Sequence, residues 1–381
     1  MPDTAAPGTS VPGAATPGTS TAEITPAIAT PVFRVRGALV PDLARDCVRL
    51  EVTESTEGLR TLRVHLVATD SGAPGPPGRL RHLDGRDVDL GRDIQVALGP
   101  DQRQRHVFDG TVSAVEAEFR DGSAPVVVLY AEDPLMRLRM TRRMRTYERT
   151  TDADIARYLA RAHGLDADVD AAGARYDVVQ QFNQSDLAFL RERARLIQAE
   201  LWCTGGTLHF RTRDKREGTK VVAVQGNHLL SARIGADLAH QRGSVTVTGY
   251  DAHTQRTIEA QAGPEVVDAE ISGGRTGPRL VREALAESAS YRVREAALTV
   301  GEARSYARAE MLRRARRFVT VSGVLRGNAD LSVGSRVELT DVGGPFEGGG
   351  YYVTYVRHSF DQVAGFRTCF HAERATVNEV V

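Results

Sequence analysis

Hydrophobic and polar residues alternate along two separate parts of the chain. In the first part, Val48, Leu50 and Val52 alternate with polar neighbours, and residues 62–66 and 94–98 repeat the pattern. A period of two places every second side chain on the same face of an extended strand. The alternation returns at residues 230–234 and continues, with interruptions, almost to the end of the chain. Two β-rich regions are therefore predicted.

Between these regions, residues 176–213 predict a strand, a helix and a hairpin in succession. Val178 and Val179 lie in the extended run that opens the stretch. The apolar positions of the helix recur at the spacing of one helical face, at Leu187, Leu190, Ala194 and Ile197. Two short apolar stretches follow, and Gly205-Gly206 between them suits a two-residue turn with positive φ. The hairpin is expected to cover the helix.

The start of this helix carries polar residues with predictable roles. Asn183 or Ser185 offers an oxygen that can cap the first turn, and Asp186 adds a negative charge where the helix dipole favours one. On that basis Asp186→Asn should lower the free energy of unfolding by about 1 kcal/mol or less. Leu190→Ala should cost roughly 2–5 kcal/mol by opening a cavity.

Two further helices begin with capping boxes. Residues 151–154 open a helix that stops at Gly164, and residues 299–302 open a second. The second helix carries mostly small residues at four-residue steps, which permits close packing, at Ala303, Ala307, Met311 and Ala315.

The composition is typical of a globular protein, and it indicates the redox environment of the cysteines and whether the chain can enter a membrane. The chain has 381 residues, a formal net charge of zero and three widely spaced cysteines. Reduced thiols in the cytoplasm are therefore expected, without a disulfide framework. No apolar run approaches the roughly 20 residues that span a bilayer, so membrane insertion is not expected. Residues 1–31 are rich in Pro, Gly, Thr and Ser and are predicted to be a disordered tail.

Residues 134–149 form a basic segment, in which six arginines accompany a single acid, Glu148. Clustered arginine can neutralise phosphates, but the segment has no interleaved aromatics beyond Tyr147. A connector at a subunit interface is therefore preferred over a nucleic-acid site. The candidate interface residues are Arg137, Arg139, Arg142, Arg143 and Arg145.

The sequence displays no motif for catalysis or for binding a cofactor or metal. Its ten histidines show no His-Glu-x-x-His spacing, and its glycine-rich stretches lack the lysine of a phosphate-binding loop. No Gly-x-Ser-x-Gly elbow is present. No enzymatic activity and no cofactor are predicted.

The run from Gln180 to Leu190, followed by a helix, Leu201-Trp202 and a short hairpin, resembles the phage late control protein D family. This family groups the tail hub proteins of contractile phages with the hub part of the valine-glycine repeat protein G of type VI secretion. One departure is that members often have a glycine where this chain reads Gln198-Ala199-Glu200. The residues taken as the structural motif are Gln181, Asn183, Ser185, Asp186, Leu187, Phe189, Leu190 and Trp202.

The resemblance implies an α+β, mainly β fold in which two similar small β-barrel domains bracket an α+β domain. The expected divisions are a first barrel at 32–133, the α+β domain at 134–226, and a second barrel at 227–265 and 318–377. A linker and helical insertion occupies 266–317.

It also implies a structural hub of a contractile injection system or phage tail, which joins a hexameric inner tube to a three-fold spike. The expected partners are two further copies in a homotrimer, the tube or tube-initiator protein, a separate spike protein and other baseplate proteins. The hub would assemble into a phage-tail-like particle in the cytoplasm. The alternatives are a peptidoglycan-processing enzyme of the same machine and an arginine-mediated nucleic-acid binder.

Overall fold

The computed structural model describes residues 30–69, 80–100, 104–171, 173–251, 254–271, 273–285, 290–297 and 299–379. All but the last two residues of the predicted disordered tail lie outside these ranges. Residues 71–78 (SGAPGPPG), whose prolines and glycines predict a loop, lie outside them as well.

The first β-rich region follows the predicted alternation. Its elements are β1 (Val32–Val35), β2 (Ala38–Leu39), α1 (Pro41–Asp46), β3 (Cys47–Ser55), β4 (Thr61–Val67), β5 (Asp93–Leu98), β6 (Arg105–Glu118) and β7 (Val126–Glu132). Leu50 and Val52 of β3 and Leu62, Val64 and Leu66 of β4 are buried, so one face of this sheet packs into a core.

The central region alternates short strands with two main helices. Its elements are α2 (Met136–Met140), β8 (Arg142–Thr151), α3 (Asp152–Ala162), β9 (Asp166–Asp170), β10 (Arg175–Ser185), α4 (Asp186–Ile197), β11 (Ala199–Thr204), β12 (Thr207–Thr212), a 3₁₀ turn (Arg213–Lys215) and β13 (Lys220–Val224). Both glycines of the β11–β12 turn have positive φ, at 57° for Gly205 and 84° for Gly206. This turn explains the glycine pair in the sequence.

The last region contains the remaining strands and three helices. They are β14 (Leu229–Ala236), β15 (Ser244–Asp251), β16 (Arg256–Ala262), α5 (Glu265–Asp268), β17 (Arg275–Thr276), α6 (Gly277–Leu285), β18 (Ser290–Ala297), α7 (Val300–Arg316), β19 (Val319–Arg326), β20 (Arg336–Thr340), β21 (Gly348–Asp361), β22 (Gly365–Arg374) and β23 (Thr376–Val377). The predicted stripe on α7 is buried, since Ala303, Ala307, Met311 and Ala315 are all fully covered.

The predicted mainly β, α+β fold is confirmed, and the two β-rich regions share one sheet. Among the described residues, the main path of this sheet runs β14-β19-β22-β21-β3-β4-β7-β6-β5-β1-β2, with β20 and β13 attached beside β21. The regions join where β21 pairs antiparallel with β3, from Tyr355 opposite Ser55 to Asp361 opposite Arg49. In the described residues this path is open at both ends and does not close into a barrel. The join places the hairpins β3–β4 and β21–β22 side by side in one sheet.

Strand pairing groups residues 244–262 differently from the expected second barrel. β15 and β16 pair with each other and β15 pairs with β18, in a three-stranded sheet separate from the large one. Val245, Val247 and Ile258 belong to the same buried cluster as the central helices, and α7 packs across this small sheet. Alternation predicts a strand and its buried face, but it does not identify the partner strand. The domain boundaries themselves stay a prediction.

Helix α4 is held by a cap at its start and by an unusual residue at its end. Ser185, rather than Asn183, is the N-cap, and its hydroxyl accepts a hydrogen bond from the Ala188 N–H at 3.2 Å. Gln198 follows the last turn in the left-handed conformation, with φ 55° and ψ 36°. Glycine adopts this conformation without the steric cost that a Cβ brings. The departure from glycine noted in the sequence therefore falls at a position that favours glycine.

Candidate assembly surface

Asp186 lies at the centre of a buried polar cluster. The carboxylate is fully buried, and the Arg143 Nε contacts both of its oxygens at 2.9 and 3.0 Å. His163 Nε2 lies 2.7 Å from Oδ2, and Gln181 donates to Oδ1 at 2.8 Å. The expectation that Asp186 acts only through the helix dipole is therefore wrong, because a buried carboxylate depends on its direct partners.

Gln181 connects this cluster to the aromatic core. Its side-chain nitrogen also donates to the Gln184 carbonyl at 3.1 Å, and its oxygen accepts from the Tyr147 hydroxyl at 3.0 Å. The Tyr147 ring stacks on Phe189 with centroids 5.7 Å apart. Burial raises the pKa of Tyr147 to about 12, so the phenol stays protonated as the donor. The amide thus fixes β10 against β8 and α4.

The face of the β8–β10 pair that lies opposite Tyr147 and Gln181 exposes large apolar side chains to solvent. Met144 of β8 lies directly opposite Phe182 of β10, and these residues are 72% and 70% exposed. Val178, further along β10, is also exposed, as is Met140 at the end of α2. Exposed apolar groups clustered in this way mark an interaction surface. We call Met140, Arg142, Met144, Val178 and Phe182 the basic-apolar face.

The predicted interface arginines have different environments. Arg143 turns inward to Asp186, and Arg139 pairs with Glu132 at 2.7 Å. Arg142 donates to the Asn183 carbonyl, while Arg145 donates to the Tyr158 hydroxyl and lies 4.2 Å from the Tyr158 ring centroid. Arg137 is exposed. In the part of the chain that the structure describes, Arg137, Arg142 and Arg145 form no ion pair with a carboxylate, so their charge is available at the surface.

The other motif residues have structural roles. Leu187, Phe189 and Leu190 are buried in the core of the central region. Asn183 adopts a φ of 49° at an irregularity in the β8–β10 register, which accounts for a residue that tolerates left-handed backbone. Trp202 stacks on His209 with ring centroids 4.8 Å apart.

A buried ion-pair network at the join of the three regions was not found from the sequence. Arg216 donates to Glu54 of β3 at 2.7 Å and to Glu200 of β11 at 3.1 Å, and its guanidinium lies 4.1 Å from the Trp202 ring centroid. Glu200 also accepts from the Tyr352 hydroxyl of β21 at 2.5 Å. Arg216 stands between charged neighbours in the sequence, where an exposed side chain is the ordinary expectation. No sequence signal pairs it with Glu54.

The described residues offer little for metal or thiol chemistry. They contain no group of three His, Cys, Asp or Glu side chains that could hold a metal ion. The three cysteines are free, and burial raises the pKa of Cys47 and of Cys203 to about 12, which keeps both as unreactive thiols. In the ranges given above, no helix is long and apolar enough to cross a membrane.

Several solved structures share this fold. The 43 kDa tail protein of prophage MuSo2 from Shewanella oneidensis has a TM-score of 0.64 and 16% identity, over 91% of this chain and 98% of that one. A tail protein from Neisseria meningitidis MC58 has a TM-score of 0.61 and 13% identity, over 91% and 96%. The Escherichia coli c3393 protein, a component of the type VI secretion system, has a TM-score of 0.53 and 14% identity, over 92% and 79%.

At these identities the similarity shows a shared fold. None of the curated proteins compared with the sequence matches it. The family described as the Alg8 N-terminal domain matches residues 83–362, which is more than half of the chain. The protein therefore belongs to the Alg8 N-terminal domain family.

Proposed function

We propose that this protein is a structural hub of a contractile injection machine, of the late control protein D type. It joins the inner tube to the spike and acts without enzymatic activity. The main support for this proposal is the basic-apolar face, where large apolar side chains are exposed to solvent. It lies on a fold shared with phage tail and type VI secretion proteins. An assembly protein needs such a surface, whereas a monomeric protein rarely exposes adjacent large apolar side chains.

The proposed assembly is a homotrimer. Three copies present two β-rich regions each, so a closed ring of three supplies six similar regions to a six-fold tube and keeps three-fold symmetry for a spike. The adjacent hairpins β3–β4 and β21–β22 support the proposed ring, because they join the two β-rich regions of one chain into a continuous sheet. The proposed partners are the tube or tube-initiator protein, a spike protein and other baseplate proteins.

Light scattering on the purified chain tests the trimer. We expect a mass of about three times 41.3 kDa at concentrations where the assembly is populated. Co-expression with the inner tube and spike proteins of the same gene cluster should yield a complex that is retained on a tag placed on either partner. A monomer at all concentrations, together with no retention by either partner, would contradict the proposal.

Incubation with purified cell-wall sacculi separates the structural role from the enzymatic alternative. The proposal predicts no release of soluble fragments. Turnover that a single carboxylate substitution abolishes would replace the hub with a peptidoglycan-processing enzyme.

A further inference from the structure

Strand β6 extends well beyond its neighbour β5. β5 pairs with β6 only as far as Thr111, whereas β6 continues to Glu118. The extension pairs with β7, up to Glu118 opposite Val126. β7 pairs in turn with β4 up to Val67 opposite Val126, so this part of β6 is an open strand edge that ends in the turn after Glu118.

The end of this strand edge is both acidic and apolar. Residues 116–121, which we call the acidic tip, contain Glu116, Glu118, Phe119, Arg120 and Asp121. Phe119 is 70% exposed. Arg120 pairs with Glu118 at 2.9 Å, and Glu116 accepts a neutral donor, the Tyr130 hydroxyl, at 2.8 Å. The tip thus keeps a negative surplus around one exposed aromatic ring.

The basic-apolar face has the complementary character. Met144 and Phe182 are exposed side by side, and Arg142 lies on the same strand two residues from Met144. Arg137 is also exposed, whereas Arg145 lies on the other face of the strand pair beside Tyr147 and Tyr158. Within the described residues, neither Arg137 nor Arg142 pairs with a carboxylate. Complementary charge around apolar contacts gives an interface its orientation and its specificity.

We infer that the acidic tip of one copy docks on the basic-apolar face of the next copy. Phe119 contacts Met144 and Phe182, and the tip carboxylates face Arg142 and its neighbours. Within one chain Phe119 and Phe182 do not cover each other, since each is 70% exposed, so the contact requires a second copy. Two different surfaces of one chain form a head-to-tail interface, which closes into a ring when the rotation permits. The inference rests on the proposed trimer and names the surfaces that hold it.

Disulfide trapping between two forms of the full chain tests the contact, each with one introduced exposed cysteine besides the buried Cys47 and Cys203. One form carries Ala117→Cys in the tip, the other carries Thr146→Cys on the face, and both carry Cys369→Ser. Residues 117 and 146 are exposed and leave Phe119, Met144 and Phe182 in place. Mild oxidation of the mixture should give a covalent dimer that neither form gives alone. Arg304→Cys, exposed on α7, replaces Thr146→Cys in the control and should give none.

Charge reversal gives an independent readout. Glu116→Arg and Arg142→Glu should each weaken self-association by about tenfold or more, since each places like charges together. The two changes in one chain restore opposite charges across the interface, so association should recover. Glu217→Arg and Arg304→Glu, at exposed positions elsewhere, are the matched controls. Circular dichroism confirms that each variant is folded.

The outcomes separate the contact from the proposed function. A trimer that shows no trapping and is insensitive to both reversals would overturn this contact and leave the hub proposal standing. A folded chain that stays monomeric and binds neither tube nor spike would overturn both. Trapping together with rescue by the double reversal establishes the contact.

Discussion

At the scale of single residues, burial decides which charged groups matter. Asp186 follows the N-cap of α4, where a charge at a helix start is normally solvated, yet its carboxylate is fully buried among Arg143, His163 and Gln181. Position in the sequence predicts the helix start. The burial depends on β8 and α3, whose residues lie more than twenty positions away, so local pattern could not reveal it.

Asp186→Asn should therefore destabilise the protein about as much as a core truncation. We expect a loss of about 2–4 kcal/mol, because the change leaves the partners of a buried carboxylate without their anion. Leu190→Ala should cost roughly 2–5 kcal/mol through a cavity. Asp177→Asn, at an exposed position of β10, should change stability by less than about 0.5 kcal/mol. Urea denaturation measures all three, and an Asp186 variant as mild as the Asp177 control would contradict the buried cluster.

His358 gives a pH-dependent prediction. It lies in β21 opposite Val52, and burial lowers its pKa to about 4. An unfolded histidine titrates near pH 6.5, so the contribution of the neutral side chain is lost as the pH falls from about 6.5 to about 4. Burial also raises the pKa of Asp133 to about 6, although hydrogen bonds from the backbone N–H groups of Arg60 and Leu135 oppose this shift. Its effect has the opposite sign, since stability falls as the pH rises from about 4 to about 6.

The opposed signs make His358→Gln informative. The variant lacks the titrating imidazole. As the pH falls from about 7 to about 4.5, the free energy of unfolding of the wild type should therefore decrease by about 2–3 kcal/mol more than that of the variant. His240→Gln, at an exposed position, serves as the control and should show no such shift. Denaturation at both pH values measures the difference, and a parallel dependence in wild type and variant would contradict the buried neutral histidine.

At the scale of elements, short-range signals predict the structure well and long-range pairing poorly. The capping box at Thr151, the helix α4 and the β11–β12 turn were all predictable, because each depends on residues within a few positions of one another. β14 was predicted as a half-buried strand, yet most of its residues are exposed, and it is the end strand of the main sheet path. The pairing of β3 with β21 joins residues some 300 positions apart. Alternation contains no information about such partners.

The end of α4 offers a stabilising substitution. Gln198 adopts left-handed backbone, which costs a residue with a Cβ more than it costs glycine. Gln198→Gly should raise the free energy of unfolding by about 0.5–1 kcal/mol, the net of relieved strain and a more flexible unfolded chain. The reverse substitution at a comparable helix end, Gly164→Ala, should lower it, since Gly164 has a φ of 67°. Loss of stability in the Gln198 variant would contradict this reading of the helix end.

At the scale of the whole molecule, the buried network around Arg216 connects the three regions. Glu54 comes from the first region, Glu200 and Arg216 from the central one, and Tyr352 from the last. A guanidinium can reach both carboxylates and stack on Trp202 at once, which an ammonium group cannot. The network therefore fixes how the regions sit against each other, and the basic-apolar face keeps its position relative to the large sheet.

Arg216→Ala should cost about 2–4 kcal/mol, because it removes a shared cation from two buried carboxylates and leaves Glu54 with Arg60 and Glu200 with Tyr352 and Arg213. Arg216→Lys should recover only part of this loss, since it keeps the charge but not the two-sided geometry. Glu217→Ala, at the exposed neighbouring position, should be near neutral. Guanidinium denaturation followed by tryptophan fluorescence reports directly on Trp202, and full recovery by lysine would contradict the geometric argument.

A map of the intact particle by electron cryomicroscopy tests the central claim most directly. We expect three copies of this chain in a closed ring between the last tube layer and the spike, with the acidic tip of each copy against the basic-apolar face of the next. A particle that lacks three-fold density at this junction, or that contains the chain only in another component, would contradict it.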